Sequence, residues 1–112
     1  MLVVDDERDI CDCLERFFCG RGFVVSCAFS GEEALEQLHQ ESVDVLLLDL
    51  LLPGLSGIEV LRRAKILRPA LQVIVVTAFD RAELRVAASR YGASGYVTKP
   101  FDFSETTWSL IL

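Results

Sequence analysis

Short apolar runs alternate with longer amphipathic segments along the whole chain. The runs are Leu2–Val4, Phe23–Cys27, Val43–Leu48, Leu71–Val76 and the shorter Gly95–Thr98, rich in valine, leucine and isoleucine. Near-continuous apolar runs mark strands of a parallel sheet covered on both faces, so five strands are predicted. Between them the spacing turns helical. Ile10, Leu14, Phe17 and Phe18 fall at i, i+4, i+7 and i+8, and Gly20 and Gly22 end that helix. Four later segments open with a capping box, in which a short polar side chain caps the first turn and an acid three residues on caps it back. The pairs are Ser30 with Glu33, Ser56 with Glu59, Asp80 with Glu83, and Asp102 with Glu105. Pro69 closes the third helix and Gly92 the fourth. Five strand–helix units in series predict an α/β fold, a doubly wound five-stranded parallel sheet with helices on both faces and right-handed crossovers. No Pro/Ser-rich linker divides the chain, so residues 1–112 read as a single domain.

Composition narrows the class. A chain of 112 residues buries about two-thirds of its unfolded surface, enough for a true core. At 52% hydrophobic and 25% charged it is not a disordered tail. The net charge of −6 and the absence of any run of lysine and arginine argue against direct nucleic-acid binding. The longest apolar stretch, Val45 to Leu52, is broken by Asp49 and falls well short of the roughly 18 to 20 residues a spanning helix needs. Asp5 and Asp6 come too early for a signal peptide. The expectation is a soluble, acidic, cytoplasmic domain with no membrane contact.

The four cysteines, Cys11, Cys13, Cys19 and Cys27, crowd the first quarter of the chain. Cys11 and Cys13 fall on different faces of a helix with no histidine nearby, so reduced thiols are expected rather than a disulfide frame or a zinc site. The single histidine, His39, sits in a polar stretch and reads as part of a solvated helix face.

In open α/β sheets, chemistry gathers at the carboxyl ends of the strands. Asp5, Asp6 and Glu7 follow the first strand, Asp49 the third, Thr77 the fourth, and Thr98, Lys99 and Pro100 the fifth. Three carboxylates converging on one edge repel each other, and a hard divalent cation such as Mg²⁺ cancels that repulsion. Asp5, Asp6 and Asp49 give −3, against +2 for the metal and +1 for Lys99, which sums to zero. Lys99 stands out further because the chain holds nine arginines and only two lysines. A compact ammonium suits a phosphoryl oxygen. Each residue taken singly has a plainer reading: a helix cap, a turn residue, a strand-end hydroxyl, a surface cation. All of them at carboxyl ends of different strands make a site.

These residues sit in motifs that resemble the receiver domain of bacterial two-component response regulators. The matching pieces are Leu2-Val3-Val4-Asp5-Asp6, Val45-Leu46-Leu47-Leu48-Asp49, Leu52-Pro53-Gly54 with Ser56-Gly57-Ile58-Glu59, Val75-Val76-Thr77-Ala78, and Gly92 through Phe101. The resemblance implies a flavodoxin-like sheet of order 2-1-3-4-5. It implies that Asp49 accepts a phosphoryl group from a sensor histidine kinase or a phosphotransfer protein. Asp6 and Asp49 would hold Mg²⁺ directly with the backbone carbonyl of Leu51, and Asp5 through water. Lys99 would hold a phosphoryl oxygen, behind a cis Lys99–Pro100 bond. Thr77 and Tyr96 would form the switch that alters the face of helix 4, strand 5 and helix 5, the family's usual surface for dimerisation or effector contacts. The domain would be a signalling phosphoacceptor rather than an enzyme, trimmed from a longer chain carrying an effector.

Some positions depart from the pattern. The resemblance implies that Leu51 and Phe79, two residues after Asp49 and Thr77, flank the approach of a hydrolytic water, which neither side chain can hold. The adjacent threonines Thr106 and Thr107 weaken the last helix. Leu51 also weighs against a haloacid-dehalogenase-type phosphatase, which needs an aspartate there. Asp5-Asp6-Glu7 would repel the phosphate of a flavin. A receiver-like module that only binds partners is disfavoured because every acceptor residue is present.

Overall fold

Strands and helices alternate through the computed structural model, which describes residues 1–111. The elements are β1 (Leu2–Val4), α1 (Arg8–Cys19), β2 (Ser26–Ala28), α2 (Gly31–Gln40), β3 (Val45–Leu48), α3 (Gly57–Leu67), β4 (Gln72–Thr77), α4 (Ala82–Arg90) and β5 (Gly95–Thr98). All strands are parallel, in the order β2-β1-β3-β4-β5, as expected. The order reverses between β1 and β3, which opens a crevice beyond their carboxyl ends.

Alternate residues of each strand face opposite sides, and the sheet separates two cores. Leu2, Val4, Leu46, Leu48, Val73 and Val75 pack against α2, α3 and α4 through Ala34, Leu38, Val60, Leu61, Ala64 and Ala88. On the other side Val3, Leu47, Ile74 and Val76 meet Cys11, Leu14 and Phe18 of α1, and Trp108. The central strands are buried on both faces, which is why they read as unbroken apolar runs. Among the described residues no helix is long and apolar enough to cross a membrane.

Strand bounds differ from the sequence expectation for one reason. A strand extends only as far as its neighbour offers a ladder. β1 pairs Leu2, Val3 and Val4 with Ser26, Cys27 and Ala28, so β2 begins at Ser26 rather than Phe23. Phe23 instead donates its N–H to the Phe18 carbonyl at the end of α1, and Val24 is left 86% exposed. Likewise β3 starts at Val45 rather than Val43, and β4 reaches Thr77 because Thr98 lies opposite.

The capping boxes divide. Ser30 and Ser56 cap as expected, accepting from the N–H groups of Glu33 and Glu59. The returning acids go elsewhere: Glu33 accepts from the N–H of Phe29, and Glu59 pairs with Arg62 at 2.7 Å. The Asp80 box is not formed. Arg81 is the N-cap of α4 without a side-chain bond, and the Asp80 carboxylate pairs with Arg85.

The expected fifth helix is a run of turns through Ile111, and Leu112 lies outside the described residues. Asp102 Oδ1 accepts from the Ser104 N–H, the Ser104 hydroxyl and the Thr107 hydroxyl at 3.1, 2.7 and 2.6 Å. Such local bonds compete with a helical ladder, and β-branched threonines add to the cost of one. The segment is nonetheless anchored. Trp108 is 1% exposed and its indole N–H donates to the Asp102 carbonyl at 2.7 Å.

Candidate functional site

β1 and β3 each end in a carboxylate, because their ladder continues one step past the last strand residue. Asp5 donates its N–H to Ala28 and Asp49 donates its own to Val4, so both side chains are delivered to the crevice at the switch point. Asp5 and Asp49 are 2% and 5% exposed, whereas Asp6 is exposed. Oxygens of Asp5, Asp6 and Asp49 all lie within 4.8 Å of one another.

Lys99 enters from the end of β5. Its N–H donates to the Thr77 carbonyl at 2.8 Å, and the Lys99–Pro100 peptide bond is cis. The ammonium bridges two acids, 2.7 Å from Asp5 Oδ2 and 3.0 Å from Asp49 Oδ2. Backbone N–H groups hold the other oxygens: Glu7 donates to Asp5 Oδ1 at 2.9 Å and Leu51 to Asp49 Oδ1 at 3.0 Å. Both oxygens of Asp5 and both of Asp49 are therefore engaged, while Asp6 faces outward.

Burial pushes the Asp5 carboxyl above its ordinary range, against the pull of Lys99 and the Glu7 N–H. Burial also works to lower the Lys99 ammonium, but its hydrogen bonds to Asp5 and Asp49 outweigh that and hold it above its usual value. The site carries excess negative charge in a partly desolvated crevice. Three hard oxygen donors at this spacing fit Mg²⁺, which takes few carboxylates and keeps room for water and phosphate oxygens.

Thr77 is fully buried at the end of β4, and its hydroxyl accepts the Phe79 N–H at 3.4 Å. Tyr96 lies on β5 with its hydroxyl donating to the Phe79 carbonyl. The structure thus brings Asp5, Asp6, Asp49, Leu51 and Lys99 together at one edge, with Thr77 and Tyr96 joined through Phe79 beside it. Leu51 is 58% exposed, an uncovered apolar side chain at the rim of a charged crevice.

Two contributions escaped the sequence reading, although Gly57 stands within one of the matching motifs. One is Gly57, whose N–H donates to the Leu50 carbonyl. A β-carbon there would stand 2.3 Å from Leu50 Cα and 2.6 Å from the Asp49 carbonyl oxygen, so only glycine lets α3 start against the Asp49 segment. The available signal was a glycine in the first turn of a helix, where it weakens the helix unless space demands it. The other is Arg85, whose guanidinium lies over the Tyr96 ring, 4.5 Å from its centroid. Nothing in local spacing pairs those two residues.

The four cysteines are free. Cys11 is buried with its thiol donating to the Asp5 carbonyl, and burial pushes it to about 11. His39 is exposed near the end of α2, as expected.

Comparison with known proteins places this geometry. Residues 1–110 match the response regulator receiver domain family. The transcriptional regulatory protein ZraR of Escherichia coli K12 is 39% identical over 103 residues, 92% of this chain and 23% of that protein. ZraR of Salmonella typhimurium is 38% identical with the same coverage. The chain spans about a quarter of the length of these curated relatives. Among solved structures, a CheY-like receiver domain of Methanospirillum hungatei superposes with a TM-score of 0.92 at 30% identity, covering 97% of this chain and 87% of that one. TrrA of Thermotoga maritima, solved with Mg²⁺ and beryllofluoride, gives 0.85 at 33% identity, covering 97% and 93%. A Burkholderia pseudomallei response regulator with a phosphorylated aspartic acid and calcium gives 0.86 at 30%, covering 90% and 59%.

Proposed function

The chain belongs to the response regulator receiver domain family of two-component systems, and on that premise we propose that Asp49 is its phosphoacceptor, charged by a sensor histidine kinase or phosphotransfer protein in the cytoplasm. The observation that carries this reading is the half-buried Lys99 ammonium spanning the buried Asp5 and Asp49 beside the exposed Asp6.

In the transfer, an Asp49 carboxylate oxygen attacks the phosphorus of a phosphohistidine. An O–P bond forms and the N–P bond breaks. The bonding pair returns to the imidazole, which takes up a proton. The transition state is loose, so the protein's task is positioning and neutralisation. The Leu51 N–H fixes Asp49 Oδ1 and leaves Oδ2 to the Lys99 ammonium, which can pass from the carboxylate to a phosphoryl oxygen. By the likeness to the family, Asp6, Asp49 and the Leu51 carbonyl would hold Mg²⁺ directly and Asp5 would act through water, the three carboxylates standing close enough to share one ion. Bound there, Mg²⁺ would supply neutralisation of the carboxylates and the phosphoryl oxygens.

Thr77 then serves as the reporter. Its hydroxyl turns to a phosphoryl oxygen, releases the Phe79 N–H, and the change reaches Tyr96 through Phe79. The output face is α4, β5 and the 102–111 turn segment in place of a fifth helix, offered to an effector domain or a second copy.

Intact mass tests the assignment. Incubation with a small phosphodonor and Mg²⁺ is expected to add one phosphoryl group, abolished by EDTA and by Asp49→Ala. Full-rate labelling of Asp49→Ala would sink it.

A further inference from the structure

Tyr96 is gripped from two sides. Its hydroxyl donates to the Phe79 carbonyl, which turns the ring toward the loop between β4 and α4. The guanidinium of Arg85, in the first turn of α4, covers the ring at 4.5 Å from the centroid. Arg85 does not lie there freely, because its Nε donates to Asp80 Oδ1 at 2.7 Å. Asp80 is the residue whose sequence position predicts a helix cap, yet the α4 N-cap has no side-chain bond. Its carboxylate is committed to Arg85 instead.

Both partners are largely exposed, 44% for the Arg85 side chain and 61% for Asp80. An ion pair so placed adds little to fold stability. A guanidinium over an aromatic face, by contrast, is drawn to it electrostatically, and a fixed carboxylate removes part of the freedom that holding it there would cost. Loop and helix are then tied to β5 through one aromatic ring.

We propose that Asp80 and Arg85 form a latch in which Arg85 is a positioning residue that holds Tyr96 against the Phe79 carbonyl. The inference rests on the reading of Thr77 and Tyr96 as the switch pair. It deepens that reading by naming what biases the switch in this chain: the arrangement of Tyr96 is favoured by α4 itself, so less displacement of Thr77 is needed to complete the change.

The test uses NMR of the intact chain, titrated with beryllofluoride and Mg²⁺ as a phosphoryl mimic. In the native protein, Arg85 side-chain protons are expected to show ring-current shifts and cross-peaks to Tyr96 before any mimic is added. Arg85→Ala should remove them, move the Tyr96 ring signals, and raise the mimic concentration at half response of the α4 and β5 amides about twofold to fivefold, with an unchanged melting temperature. Arg85→Lys keeps the charge without the plane and should recover only part of the response. Asp80→Asn should weaken the Arg85–Tyr96 cross-peaks. Identical Tyr96 signals and midpoint in Arg85→Ala and the native chain would overturn the latch. A native chain that shows the cross-peaks but never responds to the mimic would instead overturn the phosphoacceptor reading beneath it.

Discussion

Lys99 is the residue on which the crevice depends electrostatically. Two carboxylates that are almost fully buried face each other across its ammonium. Taking away the ammonium leaves uncompensated negative charge in a largely desolvated place, at a cost of about 3–5 kcal/mol, whereas taking away one acid relieves repulsion. The rim is governed differently. On the phosphoacceptor reading proposed above, Leu51 and Phe79 would flank the line along which water approaches the phosphorus opposite the Asp49 oxygen, and neither can hold a water by side-chain hydrogen bonding. A long-lived phosphoryl state is therefore expected. Leu51→Asn combined with Phe79→Gln should shorten it by about tenfold to a hundredfold, the usual worth of one positioning contact. Decay of the phosphorylated domain after donor removal measures this, and a double variant no faster than the native chain would show that these side chains do not set the clock. The acids, Thr77 and Lys99 were readable from the chain because strand ends converge at the switch point. Arg85 was not, because its contact to Tyr96 joins a helix to a strand and follows no local period.

Elements meet where glycine permits it. α3 begins directly against the segment that carries Asp49, and the missing β-carbon of Gly57 is the space they share. Gly57→Ala gains roughly 1 kcal/mol of helix propensity but forces backbone atoms apart, and overpacking of that kind costs about 1–3 kcal/mol or more. A lower denaturation midpoint and slower phosphorylation are expected together; an unchanged midpoint would mean that α3 yields freely. Helix starts were legible where a serine capped, at Ser30 and Ser56. They were not where aspartate had a stronger claim on its carboxylate: Arg85 takes Asp80, and Ser104 and Thr107 take Asp102. The capping pattern records what a side chain can do locally, and a nearby cation or hydroxyl decides what it does. Strand bounds slipped for a complementary reason, since the length of β1 lies outside any window drawn on β2.

At the scale of the molecule, the sheet is a wall between unlike interiors. The face under α2, α3 and α4 is almost wholly aliphatic, with Tyr96 at its margin. The α1 face gathers six of the seven phenylalanines and the single tryptophan. Trp108 meets Phe18 and Phe101 edge-on, at centroid distances of 5.3 and 5.4 Å, while Phe17 stacks on Phe103 at 4.4 Å. This packing ties a turn segment to α1 where a helix was expected, and it makes the molecule optically one-sided. Tryptophan fluorescence looks into only one of the two interiors. If the domain melts as one cooperative unit, tryptophan emission and far-ultraviolet circular dichroism should trace the same curve in urea. Should the turn segment loosen first, the emission would shift to the red while the helices on the far side still hold their ellipticity. A gap between the two curves would then measure how firmly residues 102–111 are moored to the rest of the domain.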